Sequence, residues 1–169
     1  MPNQPSARPT PTNTPPATPA PTPPSGSADA RAAASVLAAI NQARARAGLP
    51  AYTISGGLDA SARKHNLLMA DGRRLSHPCP GEPPLGDRET AAGVHWTAAG
   101  ENVGEGGPTA DTAEAITQLA LALTQGMLDE KPPNDGHRRN LLSTDFTHIG
   151  IAVYRDSRGT VWMTQDLSN

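Results

Sequence analysis

An α+β fold, with helices packed on a small, mainly antiparallel sheet, is what this sequence predicts, and three observations predict it. Three segments carry amphipathic helical stripes. A glycine-flanked run between the second and third reads as a strand, and the chain closes on a hairpin pattern. About 142 of the 169 residues take part. Residues 1–27 stand apart, holding ten of the eighteen prolines, five threonines, one charge (Arg8) and no aromatic residue. Such a segment buries too little apolar surface to offset its ordering entropy. Residues 1–27 are therefore expected to be a disordered, polyproline-II-biased linker or stalk, and residues 28–169 the folded domain.

The first helix is expected over 32–47, where Ala33, Val36, Leu37, Ile40, Ala43 and Ala47 keep helical spacing after cap candidates Ser27 and Asp29. Gly48 stands where a left-handed C-terminal residue belongs, with Pro50 beyond it. The second helix is expected over 58–71 and ended by Gly72. Its face of Leu58, Ala62, His65 and Met69 places His65 inward, with a backbone partner. Ser76 and His77 follow. Neighbours in an extended segment point to opposite sides, so these two do not form a hydrolase dyad. Residues 78–96, rich in proline, glycine and charge, read as one long loop.

Gly100-Glu101-Asn102-Val103-Gly104 lies in the predicted central strand, within 97–107, where glycines let backbone pack closely around a carboxylate. A phosphate cradle is excluded, because no Lys-Ser/Thr pair follows. The third helix is expected over 109–128, with Ala113, Ile116, Ala120, Leu123 and Met127 as its stripe and Asp111 and Glu114 at its positive end. Pro132-Pro133 blocks helix, Asn134 or Asp135 supplies a cap oxygen, and 136–142 reads as a short helix carrying His137 on its first turn. From Phe146 the period becomes two. Ile149, Ile151 and Val153 alternate against His148, Gly150 and Ala152, and the chain turns over 155–160 into a strand over 161–165.

Composition removes several function classes. The net charge of −2 is made of scattered residues, so no nucleic-acid footprint appears. No apolar run reaches the ~20 residues of a membrane span, and the residues after Met1 do not read as a signal peptide. Cys79 is the single cysteine, so no intrachain disulfide forms and the redox compartment is not legible. No H-E-x-x-H, cysteine pair or Asp-rich calcium loop is present.

Several stretches together resemble bacterial, SCP-like domains of the CAP superfamily (cysteine-rich secretory, antigen 5 and pathogenesis-related proteins). They are Asn41-Gln42-Ala43-Arg44-x-x-Ala47-Gly48-Leu49, Gly100-Glu101-Asn102, Gly136-His137-Arg138-x-Asn140-Leu141-Leu142, Phe146-Thr147-x-Ile149-Gly150-Ile151 and Trp162-x-Thr164-Gln165. The resemblance runs over about residues 32–167, with Leu167 where an aromatic is common. It implies a three-layer α-β-α sandwich and a cleft lined by a tetrad of His77, Glu101, Glu130 and His137. Glu130 is the loosest match, since many bacterial members lack a carboxylate there.

Two imidazoles and two carboxylates suit zinc or another divalent cation with water in the open positions. They would equally let Glu101 or Glu130 act as a base on water. Asn102 and Asn140 are expected to be structural beside the site. The resemblance implies a monomeric, extracellular or cell-envelope module that binds a metal, a small or a lipid-like ligand. The alternatives are a metal-assisted, peptidase-like hydrolase and a structural or adhesion module of the envelope. A binding module is the expectation over an enzyme, because no serine or cysteine nucleophile stands beside a base.

Overall fold

The computed structural model describes residues 27–169. The expected linker over 1–27 thus lies outside the described residues, apart from Ser27. Ser27 caps α1 (Ala28–Arg46), its hydroxyl accepting from the Ala30 amide at 3.2 Å. This satisfies one of the orphan donors at a helix start and sets the entry into the domain. The chain then runs β1 (Thr53–Ile54), α2 (Gly56–Gly72), α3 (Leu85–Ala91), β2 (Ala99–Gly106), α4 (Ala113–Asp129), α5 (Gly136–Leu141), β3 (His148–Arg155) and β4 (Val161–Ser168). None of these helices is long and apolar enough to cross a membrane.

The four strands lie in the order β1-β3-β4-β2. β3 and β2 both pair antiparallel with β4, and only the two-residue β1 runs parallel, to β3. Period-two alternation sends the two faces to different helices. Ile149, Ile151, Val153, Val161, Met163 and Leu167 join Val36 and Ile40 of α1 and Ile116 and Ala120 of α4 in the main core. On the opposite face Val103 and Trp162 pack with Met69 of α2 and with Cys79. The result is the three-layer α-β-α sandwich, with α1 and α4 on one face and α2 on the other.

Four expectations are corrected. β2 is an edge strand, not a central one, because β4 takes the middle of the sheet. The supposed loop over 78–96 contains α3, whose buried residues are Arg88 and Glu89; a helix that buries charge has no apolar stripe to betray it. The helix expected from 109 starts at Ala113, where the Thr112 hydroxyl accepts from the Ala115 amide, and so Asp111 lies outside it. α2 ends one residue late, with Gly72 still helical and Arg73 left-handed at φ 52°. Gly48, by contrast, does adopt the left-handed conformation, at φ 71°.

Candidate functional site

Each half of the site is built by a different layer. His77 stands in the extended segment after α2, and Glu101 on the β2 face that meets α2 and α3. His77 Nδ1 lies 2.9 Å from Glu101 Oε1. Glu130 ends α4 and His137 begins α5, and His137 Nδ1 lies 2.5 Å from Glu130 Oε1. Because β2 is the sheet edge, the layers meet around it. All four tetrad residues line one cavity of about 620 Å³, together with Asn134, Arg139, Asn140 and Phe146.

Among the described residues, no three of these four bring donor atoms within 4.8 Å of one another. The carboxylates reach the imidazoles rather than a common point. Each histidine thus has Nδ1 engaged by a glutamate. In the neutral tautomer, Nδ1–H donates to the carboxylate and Nε2 keeps its lone pair.

The sequence places a cap at Asn134 or Asp135, but neither side chain caps α5. Asp135 holds the N-cap position without a capping bond. Glu130 does the work instead: Oε2 accepts from the His137 amide at 3.0 Å and the Arg138 amide at 3.3 Å. Desolvation pushes the Glu130 carboxyl up, but the His137 side chain and the two amides outweigh it and hold it below its ordinary value.

Glu101 is held harder. Its side chain is only 3 % exposed, and the Arg88 guanidinium bonds Oε2 while also donating to Glu82 Oε1 at 3.2 Å. Burial again works upward, yet His77 and Arg88 depress Glu101. In return the Glu101 hydrogen bond, opposed by desolvation, raises His77. His65 is fully buried as expected. Its Nε2–H donates to the Ser76 carbonyl at 2.9 Å, and its Nδ1 lies 2.8 Å from Glu82 Oε2.

Asn102 is fully buried, donating to Gln165 Oε1 at 3.0 Å and to the His137 carbonyl at 3.3 Å. Asn140 crosses to β2, donating to Asn102 Oδ1 at 2.9 Å and to the Glu101 carbonyl at 3.3 Å. The i to i+3 spacing from His137 turns it toward the edge strand and away from the following loop. Asn140→Ala should therefore cost about 1–3 kcal/mol in urea unfolding, since buried Asn102 loses a donor. Full stability with weakened cleft binding would instead make Asn140 a ligand contact.

Sequence reasoning missed the charged groups behind Glu101. Arg88 sat in a supposed loop. Asp166 and Glu89 are fully buried, and none of their carboxylate oxygens has a hydrogen-bond partner among the described residues. Desolvation, reinforced by the Glu101 charge, pushes Asp166 up to about 8; desolvation, partly offset by Arg88, pushes Glu89 up to about 7.

The sign follows. A raised carboxyl favours the fold fully below its unfolded value near 4, and that advantage is lost as pH rises through about 7 and 8. The depressed Glu101 and Glu130 act oppositely, losing their contribution as pH falls below their ordinary 4.5. Stability should therefore peak between about pH 4 and 5 and fall progressively up to about pH 8. Asp166→Asn should flatten that fall and gain on the order of a few kcal/mol at pH 8. Denaturation midpoints across pH 4–9 test this, and a slope between pH 5 and 8 unchanged in Asp166→Asn would refute it.

Comparisons with known proteins agree with this architecture. The family model described as "CAP: Cysteine-rich secretory protein family" matches residues 37–167. The uncharacterized protein YkwD of Bacillus subtilis (strain 168) is 30 % identical over 125 residues, which are 74 % of this chain and 42 % of that protein. The crystal structure of an extracellular protein containing a SCP domain from Bacillus anthracis str. Ames superposes with a TM-score of 0.67 at 28 % identity. That match covers 83 % of this chain and 41 % of the other. The crystal structure of NaASP2 with Zn2+ shares the fold alone, with a TM-score of 0.55 at 11 % identity over 83 % of this chain and 81 % of that one. The chain thus spans less than half the length of both Bacillus proteins.

Proposed function

The chain belongs to the CAP, cysteine-rich secretory protein, family, and from that premise we propose that it is an extracellular or envelope-tethered binding module whose cleft takes a divalent cation and a small polar ligand. One observation carries the reading. Both His77 and His137 face one cavity with Nδ1 held by a glutamate, the arrangement that orients imidazole for metal through Nε2. In this reading zinc, or another borderline cation, is bound by the two imidazoles and water, while Glu101 and Glu130 fix tautomer and ring orientation. The similarity to a protein solved with Zn2+ is consistent with it. The cation would supply Lewis acidity and a bridging charge for a polar or anionic ligand group.

Asn134, Arg139, Asn140, Ser143 and Asp145 give the cleft a polar lining, with Phe146 the one Phe, Tyr or Trp among the described residues that line it, which favours a small polar ligand over a lipid-like one. A hydrolase with Glu101 as base is disfavoured, because Arg88 and His77 hold that carboxylate below its ordinary value and blunt its basicity. The extracellular placement draws on the relative described as extracellular. Residues 1–27 are proposed as the linker that spaces the domain from its anchor.

Zinc should stabilise the fold by RT ln(1 + [Zn]/Kd), about 2.7 kcal/mol at a hundredfold excess over Kd. Thermal melts in a Cys79→Ser background isolate the cleft from the thiol. His77→Ala with His137→Ala should abolish the increment. Protons compete for imidazole, so the increment should fade as pH falls through a value above the ordinary 6.5, because His77 is raised. An increment that survives the double replacement would exclude the cleft as the metal site.

A further inference from the structure

Directly behind Glu101, whose Oε2 lies 3.7 Å from His65 Nε2, three side chains outside the tetrad converge on the α2 side of the sheet. His65 projects from α2, and Cys79 and Glu82 are the ends of a four-residue turn. In that turn Pro80 precedes Gly81 at φ 77°, and the Glu82 amide donates to the Cys79 carbonyl at 3.1 Å. Proline followed by a left-handed glycine is the pattern of a type II turn, which brings its first and fourth residues close together. Both side chains face His65. Cys79 Sγ lies 4.0 Å from His65 Nδ1, Glu82 Oε2 lies 2.8 Å from it, and the three donor atoms all fall within 4.8 Å of one another.

We propose that His65, Cys79 and Glu82 form a second, thiolate-containing site for a borderline or soft divalent cation such as zinc, cadmium or cobalt, separate from the cleft. The donor set is neutral imidazole, thiolate and carboxylate, which is zinc chemistry rather than calcium or magnesium chemistry. Bond lengths of roughly 2.0–2.3 Å put tetrahedral ligand atoms roughly 3.3–3.7 Å apart, so Sγ must close by a few tenths of an ångström and Glu82 must open by a similar amount.

The surroundings are already those of a metal ligand shell. His65 Nε2–H is donated to the Ser76 carbonyl, which leaves Nδ1 as the coordinating nitrogen. Glu82 Oε1 accepts from Arg88 at 3.2 Å, and Oε2, which also accepts from the Cys79 amide at 3.3 Å, faces Nδ1 and Sγ. Charge also closes. A divalent cation with Arg88 gives three positive charges against the Cys79 thiolate, Glu82 and Glu101. Two protons leave to solvent as the metal enters: that of the thiol, which burial pushes up, and the one held between His65 Nδ1 and Glu82. Side-chain exposure of 0 % at His65 and 3 % at Glu82 means the ion arrives through local opening of the turn and then sits out of solvent.

Cobalt(II) titration of the full chain reads the site directly, since a thiolate ligand gives an ultraviolet charge-transfer band that imidazole and carboxylate ligands lack. The band should saturate with one cobalt per chain and should persist unchanged in the His77→Ala, His137→Ala double variant, so its fate is independent of the cleft. Cys79→Ser should remove it while leaving the circular dichroism of the fold intact. Glu82→Gln and His65→Gln should each weaken cobalt binding, by at least the roughly 10–100-fold lost with an outer-shell partner. Where buried His65→Gln fails to fold, Glu82→Gln decides. No band in the folded wild-type chain would overturn the proposal. So would a band whose affinity is unchanged in Glu82→Gln, which would mark a lone thiol binding metal adventitiously.

Discussion

Replacing Arg88 by methionine should destabilise the domain by about 3–5 kcal/mol, the cost of leaving a buried ion pair with one partner removed. The arginine side chain is 6 % exposed and serves two carboxylates whose side chains are each 3 % exposed, Glu82 and Glu101. Methionine fills most of the volume but offers neither carboxylate a proton or a charge. Glu101 would then lose its principal counter-charge while still facing buried Asp166, whose own carboxyl is raised partly by that neighbour. Glu101 should rise from its depressed value, and the His77 to Glu101 contact should loosen with it. Urea unfolding gives the stability, and adding Glu101→Gln to Arg88→Met should recover part of the loss by removing the orphaned charge. A loss under about 1 kcal/mol would mean that the ion pair behaves like an exposed one.

Gly150→Ala is the other large effect. A Cβ at Gly150 would stand 2.1 Å from the Leu58 carbonyl carbon and 2.3 Å from the Asp59 nitrogen, both backbone atoms at the start of α2. No rotamer relieves a clash with backbone, so α2 must lift off the sheet. The same contact carries a bond, because Asp59 Oδ1 accepts from the Ile151 amide at 2.8 Å. The expected cost is at or beyond the upper end of the roughly 1–3 kcal/mol typical of overpacking. Gly126→Ala is the matched control: the site is exposed in α4 with nothing among the described residues within 4 Å of an added Cβ, and alanine there should gain about 0.5–1 kcal/mol. Equal effects from the two substitutions would show that α2 does not rest on Gly150.

The elements were largely legible because their physics is local. The stripes of α1, α2 and α4 and the alternation at Ile149, Ile151 and Val153 each report a face that must be buried, and the structure buries them. His65 could be placed inward for the same reason. What escaped was burial of charge. Arg88, Glu89 and Asp166 look solvent-facing to any hydrophobic pattern, and what buries them lies on other elements, as Glu101 of β2 does for Arg88 and, across the β2–β4 pair, for Asp166. β2 was found as a strand but misplaced as central, since pairing order is not written in its own residues. The tetrad came from family resemblance and not from spacing; the long separation of His77 from His137 carries no local signal. Cys79-Pro80-Gly81-Glu82 did carry one, a proline-glycine turn with two metal-ligating ends, but a search for paired cysteines passes over it.

The division of the cleft between two layers has a further consequence. One histidine rides with α2 and its core of Met69, Val103 and Trp162, the other with α4 and the larger core on the opposite face. The gap between them is therefore a calliper reading of how far apart the layers sit. A ligand that spans both imidazoles acts as a cross-brace, and its affinity carries the work of bringing the layers to its own length. Substitutions deep in either core, remote from every cleft residue, should then retune binding by resetting that gap.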